Sequence, residues 1–556
     1  MISMPETRKK LRTIYWSVLL VNISALIFGI LYLSAGFESI FWNLYGLFIL
    51  AALIGNIYIA YIEDPRNLRG YLYLVFSGIC LLLIPIFNSL ASFTITHYSS
   101  RSIVSCALVF ALFLFGGLLA VSNLICRKTE AEILLDDLAI KKIKESHRQK
   151  AIKTIIIICL SIILAAGLAV AYRILVINEK FWTTEVFISA VSLFYAFVSL
   201  SVGVLILKLL PGKGSTLAKI VFSLVILFVF IVCLLPFAAS PFMVKNAETE
   251  YIQAFGEEFL ASPEYDLEHF RKVRFSIPEY FFGIVSEGFA VRKDIPFYQG
   301  TEGVDKGLRL YFDAYTPIVD GDTLPGGNSV LVRIHGGGWT SGDKGFLNNA
   351  QINKYFASQG YAVFDIQYGL SKKNGSAETA ESPYGDFTTD DMVRHIGKFL
   401  EYLSKHSEEF NANIDSVFIS GASAGGNLAL ASGLALAGNK YSNIPGREVK
   451  IRGLIPYYPA NELADNFGVG YSLEFNNPGL LVNELSPPCL IFQGSSDGLV
   501  KYSVTEKFKN AYIEAGNMQC AVISMPFGGH ACDMYFPGYY NQLFLYYMER
   551  FMYVFR

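Results

Sequence analysis

The chain has 556 residues, too many for one ordinary domain. Its mean hydropathy of +0.40 beside 17% charged residues is unusual for a wholly soluble protein. A formal net charge of −2 leaves no basic face for phosphates, so nucleic acid is not expected as a partner. The eight cysteines say little about redox compartment: those in the soluble half lack CxxC spacing and read as small buried thiols.

The average hides a division. Up to about Pro241 the chain is mostly long apolar runs, and from about Ala247 it reads as a water-soluble α/β sequence. A membrane helix needs about 20 predominantly apolar residues. Seven runs meet that length: Ile14–Leu33, Ile40–Ile62, Tyr71–Leu90, Ile103–Ile125, Ile155–Ile177, Val186–Leu207 and Ile220–Phe242. The first is longer than a signal peptide's apolar stretch and is read as retained. Pro85 falls inside the third, where neighbouring helices can tolerate it. Charges such as Arg101, Glu185 and Lys208 sit near span ends, which favours a scaffold or lipid-contacting anchor over a transport path. The segment Lys128–Lys153 has apolar residues at helical spacing beside basic ones and reads as a helix on anionic lipid or an extension of the adjacent spans.

Basic residues set the expected orientation. With the N-terminus cytoplasmic, the inner loops carry Arg8, Lys9, Lys10, Arg12, Arg66, Arg69, a cluster from Arg127 to Lys153, Lys208, Lys213 and Lys219. The opposite side holds Arg101, Arg173, Lys180 and Lys245. Seven spans then place the soluble half outside the cytoplasm. The expected organisation is an all-α membrane bundle over residues 1–245, a linker and possible cap over 246–306, and an α/β domain over 307–556. The aromatic stretch Phe275–Phe289 is read either as a cap over an acyl pocket or a membrane contact, or as ordinary packing against the core.

The soluble half alternates short β-rich runs with helical patterns, the signature of a doubly wound, mostly parallel sheet. Strands are expected at Leu308–Tyr315, Ser329–Ile334, Ala362–Tyr368, Ser416–Ser420, Gly453–Tyr457, Cys489–Gln493 and Ala521–Met525. Helices are expected at Asn348–Gln359, Thr389–His406, Gly425–Ala437, Val504–Ala515 and Tyr539–Tyr553.

The strand at Val417–Ser420 runs into Gly421-Ala422-Ser423-Ala424-Gly425-Gly426 and then a helix, which is G-x-S-x-G in the context that gives it meaning. A serine on such a turn has a cramped backbone, so small residues such as Gly421 and Gly425 are needed beside it. His335-Gly336-Gly337-Gly338-Trp339 follows another strand. Amides of Gly336 and Gly337, with that of Ala424, would form an oxyanion hole. Gly338 belongs to the same glycine run, and His335 braces the loop rather than serving as a base. Only His530 of the seven histidines follows Ser423, and the chain order in this kind of fold is serine, acid, histidine. Asp497, at the end of the strand Leu490–Gln493, is the expected acid.

From Leu308 onward these blocks resemble the hormone-sensitive-lipase-like branch of the α/β hydrolases, which includes bacterial acetyl, feruloyl and acetylxylan esterases. The resemblance rests on the HGGGW block, the GxSAGGN elbow, the SSDGLV turn and the GGH loop. Ala422 departs from it, standing where that branch usually has Asp. The resemblance implies hydrolysis of short-chain carboxylic esters with no metal or organic cofactor. The substrate would be a small-molecule or surface-polymer ester, with membrane lipid as the other partner. An acyltransferase using the same residues and a catalytically inactive membrane sensor are the competing readings.

Overall fold

A computed structural model describes residues 4–35, 39–95, 101–125, 147–177, 179–210, 215–260, 269–345, 349–372, 384–438 and 440–556. The first half is a bundle of helices α1 (Met4–Ser34), α2 (Trp42–Ile62), α3 (Leu68–Phe93), α4 (Ile103–Ile125), α5 (His147–Leu175), α6 (Ser192–Leu209) and α7 (Thr216–Ala238), the last running on into α8 (Ser240–Phe255). Seven of the described helices are long and apolar enough to cross a membrane. Several of their buried polar residues pair within the bundle. Asn22 and Asn56 exchange amide hydrogen bonds at 2.7 and 2.9 Å, and Lys208 donates to the Ala60 and Glu63 carbonyls at 2.7 and 2.8 Å. Lys208 thus caps the C-terminal end of α2, as expected for a span-end charge with a structural task. Most of the Lys128–Lys153 segment lies outside the described residues, and its last part forms the start of α5.

One expected span begins differently. The run expected to start at Val186 enters its helix only at Ser192, and Glu179–Phe187 forms a 3₁₀ segment instead. Hydropathy could not separate these residues from a span, because Val186, Phe187 and Ile188 are apolar. Val186 and Ile188 pack against the other half of the protein.

That half is built on an eight-stranded sheet of β1 (Phe289–Gln299), β2 (Arg309–Pro317), β3 (Ser329–Ile334), β4 (Ala362–Ile366), β5 (Asn413–Ala422), β6 (Ile451–Tyr457), β7 (Cys489–Gly494) and β8 (Cys520–Met525). The order is β1-β2-β4-β3-β5-β6-β7-β8, with β2 antiparallel to both of its neighbours, β1 and β4, and all other pairs parallel. The central strands β3, β4 and β7 are buried along their whole length, as a sheet covered on both faces requires. Strand β1 falls inside the stretch read as linker. Its pairing with β2 is broken by two register shifts, and Pro296 sits in it, which an edge strand tolerates. These features blur the alternation that would have marked it.

Helices α9 (Ile277–Phe282), α10 (Asn349–Ala357), α11 (Thr389–His406), α12 (Ala424–Ala437), α13 (Tyr502–Glu514) and α14 (Tyr539–Phe555) complete the fold. One face of the sheet packs on α11 and α12 in a core containing Val330, Val332, Ile419 and Leu428. The other face, with Leu331, Phe418, Ile455 and Phe492, shares one continuous core with α14 and the membrane bundle. The aromatic stretch expected as a cap lies in this joint. Tyr280, Phe281 and Phe282 are buried there, and none of the three lines the cavity at Ser423.

Polar contacts fix the joint. Asn43 of α2 binds the Phe275 carbonyl and the Ile277 amide, each at 2.8 Å. Asn88 of α3 binds the Phe281 carbonyl at 3.0 Å, and Lys354 of α10 reaches the Thr94 carbonyl at 2.9 Å. Contacts such as these join one end of the bundle to the sheet domain. A methyl group on Gly46 would sit 2.4 Å from Ile277 Cβ. Gly46→Val should therefore destabilise the purified protein by about 1–3 kcal/mol through overpacking. Gly78→Ala, where an added methyl meets nothing within 4 Å, should not. Thermal unfolding of both variants beside the parent checks this; equal melting of Gly46→Val and parent would mean the joint is loosely packed.

Candidate active site

Strand β5 delivers its chain to Ser423, which has φ 55° and ψ −118° before α12 begins at Ala424. This left-handed conformation is costly for a residue with a Cβ and persists only where its surroundings enforce it. Here the Ser423 amide donates to the Tyr457 carbonyl at 2.9 Å, which pins the turn to β6. Close approach does the rest. A Cβ at Gly425 would lie 2.2 Å from the Ile334 carbonyl oxygen, so only glycine lets α12 start against the end of β3. Below the turn, Arg333 is buried, donates to Ser420 Oγ at 2.5 Å and to Asn349 Oδ1 at 2.8 Å, and stacks over Tyr457.

His530 comes from the loop after β8. Its Nε2 lies 3.0 Å from Ser423 Oγ, and its Nδ1 lies 2.9 Å from Asp497 Oδ2. Both His530 and Asp497 are buried. The Asp497 carboxylate also accepts from the Leu499 and Val500 amides at 2.9 and 2.7 Å, so its orientation is fixed by its own turn. The Tyr458 ring meets the His530 ring edge to face at 4.7 Å, and the Tyr458 hydroxyl donates to buried Asp533 at 2.7 Å. Burial raises the Asp533 carboxyl above its ordinary value. The structure therefore brings Ser423, His530 and Asp497 into one hydrogen-bonded line.

Gly336, Gly337 and Gly338 line the same cavity, of about 420 Å³, together with Ser423 and His530. Gly337 and Gly338 take φ 117° and 59°. The cavity is otherwise mostly apolar, walled by Trp339, Leu463, Phe467, Leu499 and Met534 among others. Ala422 lines it where a carboxylate would have introduced charge. His335 is fully buried and held apart from the serine. Its ring stacks on Tyr368 at 4.4 Å, and its Nδ1 donates to the Gly336 carbonyl at 2.8 Å. Burial lowers its pKa, which keeps the ring neutral and in the bracing position expected of it.

Two contributors come from the membrane half and carried no motif. Glu185, in the 3₁₀ segment before α6, accepts from the Gly498 amide at 2.9 Å and the His530 amide at 3.3 Å. Its other oxygen accepts from Arg173 at 2.9 Å. One carboxylate thus bridges the turn of Asp497, the loop of His530 and the end of α5. Burial raises its pKa against the lowering effect of the two amides, and Asp497 nearby adds to the rise. A Cβ on Gly529 would lie 2.5 Å from Glu185 Cβ, which accounts for the second glycine of the GGH loop. The next residue, Val186, lines the cavity itself. Only the charge of Glu185 beside an apolar run was visible in the sequence, and nothing in its spacing pointed to the serine.

The chain is similar to several known proteins. Residues 312–469 match the BD-FAE family model. The chain is 23% identical over 235 residues to a protein of Mycobacterium tuberculosis named "Probable carboxylic ester hydrolase LipM", an alignment covering 38% of this chain and 51% of that one. The chain thus spans about half the length of this curated relative. Among solved structures, esterase B of Lactobacillus rhamnosis is 18% identical with a TM-score of 0.35, over 45% of this chain and 81% of that one. Thermogutta terrifontis esterase 2 is 21% identical with a TM-score of 0.34, over 44% and 85%. The segment 312–469, which holds the elbow and the glycine-rich loop, is thus similar to BD-FAE domains, which are α/β-hydrolase esterases.

Proposed function

We propose that the protein is a membrane-held serine hydrolase of carboxylic esters, with its hydrolase domain outside the cytoplasm. The observation that carries this reading is the line from Asp497 through His530 to Ser423, with both bonds between 2.9 and 3.0 Å at a strained elbow. His530 takes the hydroxyl proton as Ser423 Oγ attacks the ester carbonyl. Asp497 holds the imidazole tautomer and stabilises the imidazolium. The negative oxygen is received by amides of Gly336, Gly337 and Ala424, the last at the positive end of α12. The alcohol leaves with the proton from His530, and water activated by the same ring releases the acid. No step calls for a metal or an organic cofactor. The partners are an ester substrate and membrane lipid. The orientation rests on the basic residues of the loops opposite the hydrolase domain.

Ser423→Ala should lower kcat on a simple acetyl ester by about 10⁴-fold or more and abolish labelling by a fluorophosphonate. Asp497→Asn should cost about 10³–10⁴-fold, because the wrong imidazole tautomer is then held. Steady-state assays on isolated membranes read both, and unchanged turnover in Ser423→Ala would end the proposal.

Glu185 is a positioning residue that acts through the two loops it bridges. Glu185→Ala leaves two buried amides and the Arg173 guanidinium without their acceptor, a cost of about 1–3 kcal/mol per group. The expected result is about a tenfold or greater loss in kcat with little change in KM for a small soluble ester. Glu185→Gln, which keeps an acceptor, should recover part of it. A KM effect alone, or no rescue by Gln, would show that Glu185 serves only to hold the halves together.

A further inference from the structure

A second apolar cavity, of about 250 Å³, lies between α3 and α6 directly beside the one at Ser423. Val186 and Met534 belong to the walls of both, so the two spaces adjoin through these two side chains. Its floor is membrane helix: Pro85, Ser89 and Phe93 on α3, and Ala190, Val191 and Tyr195 at the start of α6. From Leu82 to Phe93 it follows α3 for about 16 Å at 1.5 Å per residue. The rim is open on the outer surface of the bundle, where Leu82, Ile86 and Leu90 are 41%, 51% and 54% exposed and Phe187 is 60% exposed. A groove walled by spans and open along their outer face is open to hydrocarbon when the bundle sits in a bilayer.

We propose that this groove holds the apolar chain of a bilayer amphiphile whose ester group reaches Ser423. The proposal rests on the hydrolase reading above and names its substrate class. Three observations support it together. The groove adjoins the catalytic cavity, with only Val186 and Met534 between them. It enters from the side of the spans rather than from water. And the serine lies at the end of the bundle where α3 and α6 emerge, the depth at which an amphiphile carries its polar groups. Because lipid is as apolar as the groove, moving a chain between them gains little free energy. The groove therefore works by placement: a chain seated along α3 brings its ester past Val186 and Met534 to the serine, and exclusion of water near the elbow follows from the same occupancy.

The test uses full-length protein in lipid nanodiscs and an alkyl fluorophosphonate with a dodecyl chain ending in a diazirine. The Ser423 Oγ–P bond forms as the P–F bond breaks, fluoride leaves and the hydroxyl proton passes to His530. Illumination then crosslinks the chain end to whatever surrounds it, and peptide mapping identifies the site. Crosslinks to residues of 82–93 or 190–195 are expected. Crosslinks confined to the Leu463–Phe467 wall of the soluble cavity, or to added lipid alone, overturn the groove while leaving the hydrolase reading intact. Failure of the probe to label Ser423 at all overturns the hydrolase reading instead. As an independent measurement, Ser89→Trp fills the groove and should lower the ratio of dodecanoyl to acetyl ester kcat/KM at least tenfold. Ile79→Trp, on the same helix but outside the groove, should keep the parent's ratio. Equal ratios in Ser89→Trp and parent overturn the proposal.

Discussion

The structure depends on the burial of one face of an α/β sheet against a bundle of long apolar helices. Leu331, Phe418, Ile455 and Phe492 point into a core that runs without interruption through α14 and into the helices of the first half. Burial of apolar area is the dominant favourable term in holding such a joint, at about 25 cal/mol per Å². It leaves little freedom for one half to swing on the other. Asn88 shows how closely the joint is specified, since it is fully buried on α3 and donates to the Phe281 carbonyl at 3.0 Å and the Tyr535 hydroxyl at 3.2 Å. A loose tether would not require a buried amide to be satisfied from two distant segments.

Because the joint is rigid, it also fixes where the elbow stands. Ser423 is at the end of β5 and His530 follows β8, three strands away in the sheet. Parallel strands put both at the same edge, which is the reason residues more than a hundred apart in sequence reach hydrogen-bonding distance. The edge in question is also where the spans end, so the 3₁₀ segment Glu179–Phe187 is carried under the His530 loop. The strain at Ser423 is held by tertiary contacts to β3 and β6, and those strands are held in turn by the shared core.

Much of this was legible in the sequence. The seven apolar runs, the central strands and Thr389–His406 could be read because each has one strong period or one long composition signal, and burial on both faces writes β3 and β7 as continuous apolar runs. Ser423, Asp497 and His530 were legible because the fold imposes their chain order and puts small residues around the serine. Strand β1 was not, since its register shifts and Pro296 break the alternation. The 3₁₀ segment was not, because Val186 and Phe187 are as hydrophobic as residues of a span and composition does not record whether their neighbour is lipid or protein. The aromatic stretch Ile277–Phe282 carried a signal of burial without its direction, and the direction is inward to the bundle.

Glu185 shows why the two halves are one device. A carboxylate has to be desolvated to reach its position, and this cost is offset only because Arg173, the Gly498 amide and the His530 amide all converge on it. Those three groups belong to a membrane helix, the acid turn and the histidine loop. None of them can shift without leaving the others short of a partner, so any displacement of α5 or of the segment before α6 is transmitted to the two loops that orient Asp497 and His530. A bundle that served only to keep the domain near the membrane would have no need to extend a charged side chain into that position. Its presence there ties the geometry at Ser423 to the packing of the apolar helices of the first half.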